Sequence, residues 1–192
     1  MNNALQLSHY LLKRQVLALT GKLRFYNPQN ELVLFSEQKM FKLREDIRVY
    51  ADEQKTQEVL AIKARQIMDF SAAYDVFDSA SGEKAGTLRR KGLKSVFRDE
   101  WDVLDANDRP LGMLFEDSIG LALVRRLVLG ALLPQNYDLT INNERVADLK
   151  QRFNLFRFEM DIDFSMDSAG RLDHRLGLAA AVLLAFIEGR QQ

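Results

Sequence analysis

The 192-residue chain contains no cysteine, which excludes a disulfide framework, a thiolate zinc site, an iron–sulfur cluster and a cysteine nucleophile. Proline and glycine are scarce, at 3 and 10 residues. That is below their usual combined share of roughly 12% and argues against a low-complexity or collagen-like chain. Neither charge sign is in excess: Lys plus Arg and Asp plus Glu both number 27. The whole molecule therefore has no bias toward nucleic acid, and no nucleic-acid partner is expected. Long apolar runs are also missing. The longest uncharged one, Leu176–Ile187, has 12 residues, against about 20 for a helix that crosses a bilayer. A second run, 119–133, is broken by Arg125 and Arg126. Near the N-terminus, Lys13 and Arg14 sit inside the apolar stretch. A secretory signal is therefore not expected, and a cytoplasmic location is, at most peripheral to a membrane. Catalytic signatures are few. The two histidines, His9 and His174, lack metal-ligand spacing, and there is no phosphate loop, nucleophile elbow or dinucleotide fingerprint. A non-enzymatic protein without a cofactor is expected.

What is present is enough apolar residue for a core, 47% of the chain, arranged mostly as short strands between polar turns. Strands are expected at 10–19, 22–26, 32–35, 47–51 and 59–64, with a turn at Asn27-Pro28-Gln29-Asn30. A repeat follows. Tyr74-Asp75-Val76-Phe77-Asp78, Trp101-Asp102-Val103-Leu104-Asp105 and Tyr137-Asp138-Leu139-Thr140-Ile141 each lead through a polar turn to a return strand with a small residue, around Gly86, Gly112 and Ala147. This is a β-hairpin used three times, with Asn142-Asn143 suited to positive φ. About twelve strands in one domain spanning 1–192 point to a closed antiparallel barrel or a sandwich, because closure removes exposed edges. Two segments read as helices. One covers 118–133, between the second and third repeated hairpins. The other covers 173–188, with Asp173 at its start and Gly189 as its stop. The second is apolar on every face, so it must be buried all round. In a β-rich domain that means a helix threaded through a barrel, kept thin by Gly177 and Ala179–Ala181.

Leu12–Thr20, Asn30–Lys39, the repeated Tyr/Trp-Asp-Val hairpins, Arg89-Arg90-Lys91-Gly92 and Phe158–Gly189 together resemble the LURP-one-related and phospholipid-scramblase-like branch of the tubby C-terminal-like fold. The resemblance implies a mainly β, closed barrel of about twelve strands around the final helix, to which the residues themselves add the 118–133 helix. It implies no established catalytic residues. Tubby-type members bind phosphoinositide head groups through basic surface residues, and scramblases are associated with calcium-stimulated lipid movement.

Three stretches are candidate sites. Arg89, Arg90, Lys91, Lys94 and Arg98 form a basic cluster that reads either as an ordinary solvated hairpin or as a site for anionic phospholipid or another anion. Lys84 is expected to add to it. Within a strand, Arg89 and Arg90 must point to opposite faces. Arg125 and Arg126, amid leucines and valines, suit a membrane interface, a cap on the barrel mouth, or a contact with a protein partner or second copy. The cap or contact is the commoner use of such a surface. Asp161, Asp163 and Asp167 place carboxylates as a calcium loop begins, but the positions that need Gly and a bidentate Glu hold Met166 and Leu172. An outward acidic strand followed by a turn is the simpler reading. The leading expectation is a protein that meets an anionic ligand through the basic cluster, with a protein-interaction module next and scramblase-like activity third.

Overall fold

The computed structural model describes residues 3–15, 20–39, 46–65, 72–91, 100–117, 134–154 and 157–187. A short 3-10 turn at Asn3–Leu5 precedes twelve strands. They are β1 His9–Gln15, β2 Thr20–Tyr26, β3 Leu32–Lys39, β4 Ile47–Tyr50, β5 Glu58–Ala64, β6 Ala73–Asp78, β7 Lys84–Arg90, β8 Glu100–Leu104, β9 Pro110–Glu116, β10 Asn136–Ile141, β11 Glu144–Arg152 and β12 Arg157–Asp163. Every strand pairs antiparallel with its sequence neighbours, and β1 pairs with β12 to close the barrel. The helix α1, His174–Ile187, runs through the interior. The helix expected at 118–133 lies outside the described residues.

Alternation decides which side chains fill the barrel. On β10, Tyr137, Leu139 and Ile141 are buried while Asp138 and Thr140 between them are not. The three repeated hairpins have one internal logic: Val76 is opposite Gly86, Val103 opposite Gly112, and Leu139 opposite Ala147. A large residue thus faces a small one. At Gly86 the reason is direct, since an added Cβ would lie 2.3 Å from the Leu104 carbonyl oxygen and 3.1 Å from the Leu176 side chain on α1. The register also shifts one step before each turn, at Val76/Phe77, Val103/Leu104 and Leu139/Thr140. The same shift occurs at Phe25/Tyr26 and Val49/Tyr50. The repeat therefore extends to five hairpins. Bulges of this kind bend and twist a strand, which a small closed barrel requires.

The helix begins where Asp173 Oδ1 accepts the Arg175 N–H at 3.0 Å, an N-cap. From Leu176 to Phe186 every residue is buried. Fully burying a Leu, Val or Phe side chain contributes about 1.5–3 kcal/mol, so α1 is the axis of the core. Gly177 lets the Phe164 ring lie against the helix, since a Cβ there would stand 2.4 Å from it.

Candidate functional site

Strand direction sorts the connections onto two ends. Residues 27–31, 51–57, 79–83, 105–109, 142–143 and 164–173 join strands, or β12 to α1, at what we term the turn end. Residues 16–19, 40–46, 65–72, 91–99, 117–135 and 153–156 join strands at the opposite, loop end. The two sets differ in chemistry. Turn-end connections carry eight acidic and three basic residues and only three large apolar ones, Phe164, Met166 and Leu172. Loop-end connections carry eight basic and five acidic residues, with 24 large aliphatic or aromatic ones. In a chain with no net charge, the connections at the two ends thus differ in sequence, although the Arg65 side chain reaches back to Asp108 of the turn end.

The interior is graded in the same direction. Toward the turn end the inward positions are apolar, among them Tyr10, Phe25, Val49, Val76, Val103 and Ile162. At the loop-end limit of their strands, Arg14, Gln38 and Glu116 are buried, with Gln135 just before β10. Arg14 is 1% exposed and its guanidinium lies 5.8 Å from the Phe158 ring centre. Burial pushes its pKa down to about 10. Arg90, the last residue of β7, holds its guanidinium 5.9 Å from the Trp101 ring centre.

The basic cluster begins on this rim. Arg89 and Arg90 do take opposite faces. Arg89 reaches Asp102 Oδ2 through Nε at 3.1 Å and a terminal nitrogen at 2.8 Å. Lys91 Nζ lies 3.4 Å from Asp102 and 3.6 Å from Glu100. Pairing of β7 with β8 thus brings two acids to the first part of the cluster. Lys94 and Arg98 lie outside the described residues, as do Arg125 and Arg126. Lys84 does not join the cluster. It sits at the turn end of β7, about 20 Å from Arg90 at strand rise, and pairs there with Asp75 and Asp108 at 3.0 and 2.9 Å.

The three aspartates read as a degraded calcium pattern have separate tasks. Asp161 makes a two-point ion pair with Arg152, with both bonds at 2.6 Å. Asp163 meets His9 Nε2 at 3.0 Å and accepts the Ser165 N–H at 2.8 Å. Asp167 accepts the Leu172 N–H at 2.7 Å and shapes the turn into α1. Among the described residues, no group of three or more histidines, aspartates or glutamates could hold a metal. Nor is any described helix long and apolar enough to cross a membrane.

The sequence model of LURP-one-related proteins matches residues 32–185. The chain belongs to the LURP-one-related family. No curated protein matches it. The match spans β3 to α1, so the last four of the five bulged hairpins, most of the threaded helix and Arg89–Lys91 fall inside the LURP-one-related part, while β1 and β2 precede it.

Several polar groups of this LURP-one-related barrel escape a reading of the sequence alone. Arg14 looks like one half of a Lys-Arg pair, yet it shares strand parity with Tyr10 and Leu12 and so turns inward. On the outer wall, Asp138 and Asp148 are directly opposite, and one Arg145 nitrogen reaches them at 2.6 and 2.9 Å. Burial pushes the Asp138 carboxyl above the usual range against that pull. Arg65 binds both Asp75 and Asp108, holding the β8–β9 turn on the wall. Those contacts keep Asp108 well below the usual carboxylate range.

Proposed function

We propose that this LURP-one-related chain is a non-enzymatic binding protein that docks by its loop end on an anionic phospholipid surface. One observation carries the reading: basic charge and large apolar residues are concentrated in the connections at one end of the barrel, while the other end is acidic and almost free of them. A cation near such a surface contributes about 1 kcal/mol at low salt, and apolar side chains that reach the head-group boundary add a term that salt does not screen. Arg89 and Lys91 contribute less than their number suggests, because Asp102 and Glu100 share them. Lys94, Arg98, Arg125 and Arg126 are the cations on which the reading depends most.

Co-sedimentation with vesicles tests it. Binding to anionic vesicles, weak or absent on neutral ones and reduced at high salt, is expected. The double variant Lys94→Glu, Arg98→Glu should lower binding at least about tenfold at low salt, as the electrostatic term per charge implies. Lys55→Glu at the turn end should leave it unchanged. Equal binding to neutral and anionic vesicles, or equal loss from both variants, would overturn the proposal.

A further inference from the structure

A recess of about 540 Å³ opens on the outer wall of the barrel, between the β2–β3 turn and the faces of β1, β12 and β11. Its volume falls within the roughly 300–1,000 Å³ typical of small-ligand sites. Register orders the charges across it. Asp148 on β11 is opposite Asp163 on β12, which is opposite His9 on β1. Two residues further along β11, Lys150 is opposite Asp161. Strand rise puts Lys150 about 7 Å and Arg152 about 13 Å beyond Asp148. The recess is therefore acidic at its turn-end side and basic beyond.

Asp148 is the anchor of the acidic side. Its side chain is 8% exposed, and its Oδ2 receives Lys150 Nζ at 2.5 Å and an Arg145 nitrogen at 2.9 Å. Its Oδ1 is buried and has no hydrogen-bond partner among the described residues. Lys150 is 54% exposed, so its ammonium can turn out to solvent, but the buried Asp148 carboxylate must then be met by another donor beside Arg145. The described strands close into a barrel with no free edge among them, so a ligand here is recognised by side chains and not by strand addition.

We propose that this recess binds the two termini of a short, extended peptide of two or three residues. The ligand ammonium takes the place of Lys150 on Asp148, beside Asp163, and supplies a donor to the carboxylate. The released Lys150 ammonium takes the ligand carboxylate. One ion pair is exchanged for two, and the balance of charge in the recess is kept. An extended chain advances about 3.3–3.6 Å per residue, so two or three residues match the spacing from Asp148 toward Lys150 and Arg152. A single amino acid holds its two charges less than about one residue length apart, so it reaches both only while Lys150 stays drawn toward Asp148. His9 and Ser165 hold Asp163, and Asp161 holds Arg152, so the exchange centres on Asp148 and Lys150.

Titration of the 15N-labelled protein with diglycine, triglycine, glycine and N-acetyl-triglycine amide tests the proposal. Diglycine and triglycine should bind with a Kd of order millimolar, typical of a small ligand held by solvated ion pairs. Their shifts should centre on His9, Asp148, Lys150 and Asp163. Glycine and the doubly blocked peptide should bind at least about tenfold more weakly, a difference of about 1.4 kcal/mol or more. Lys150→Ala, at an exposed position that leaves the fold intact, should weaken triglycine binding at least about tenfold. Asp148→Asn should do the same. An equal response to the blocked peptide, unchanged binding in Lys150→Ala, or no response up to about 50 mM peptide would overturn it. Because the recess lies on the wall and not at the loop end, failure of either proposal leaves the other standing.

Discussion

At the turn end, β10 and β11 are joined by two asparagines, Asn142 and Asn143, both with positive φ. At the loop end, β9 and β10 are joined by 19 residues, 117–135, rich in leucine. Two buried arginines show the same contrast. Near the turn end, Arg175 binds Asp173 at two points and lies 3.4 Å from Asp78, and the Asp173 contacts hold its pKa above the usual range. Near the loop end, burial drives Arg14 the other way. The turn end spends its polar groups on one another: Asp78 accepts the N–H groups of Ala80 and Ser81 as well. Its bulged hairpins and the cap on α1 fix the fold. The loop-end connections are longer and carry most of the large apolar residues, and the docking proposed above is assigned to them, as binding is commonly assigned to loops on a rigid scaffold.

The sharpest way to break this contrast is to attack the axis that both ends share. Leu183 is 1% exposed, and Leu183→Asp should cost at least about 4 kcal/mol by burying an unpaired charge. Circular dichroism should then find little folded protein. A folded, stable variant would contradict the threaded helix.

Next in size is the turn-end anchor. Arg175→Met leaves Asp173 and the buried Asp78 without their cation and should cost about 3 kcal/mol in urea unfolding. A loss below about 1 kcal/mol, the scale of an exposed pair, would mean that this end is held by its backbone alone.

A smaller effect tests the same end by pH. Burial lowers the His174 pKa from its usual 6.5, against the pull of Asp167 and Asp173, and its ring stacks on Phe164 at 4.4 Å. The unfolded chain therefore takes up the proton first. The neutral form's contribution is whole above about pH 6.5 and is lost as pH falls below it. Thermal unfolding should show Tm declining from pH 7.5 to 5, and His174→Gln should flatten that decline. An identical decline in the variant would place the sensitive group elsewhere.

The smallest effect belongs to the rim. Arg89 is 48% exposed, and Arg89→Ala should change stability by no more than about 0.5 kcal/mol. A larger loss in urea unfolding would make the rim part of the scaffold and erase the contrast.

Most of the barrel was legible because its signals are local. The alternation in Tyr137–Ile141, the Asn142-Asn143 turn and the all-round apolar helix each follow from neighbours in sequence. The first two hairpins share the bulge of the later three but lack their aromatic-Asp start, so a motif count of the repeat stops at three. The site was less legible because charge pairing crosses strands. Asp102 meets both Arg89 and Lys91 only through the β7–β8 register. The same register, running β7 the length of the barrel, carries Lys84 away from Arg90.

The pairing of β1 with β12 bears on how the chain is made. Every other ladder joins neighbours and can zip as the nascent chain emerges, but this one joins Gln15 to Arg157 and His9 to Asp163. The wall stays open until the twelfth strand has left the ribosome. The helix that fills it is translated after that strand. Until then the inward faces of eleven strands have nothing to pack around, so the partly synthesised chain is the form most exposed to aggregation and most in need of a chaperone.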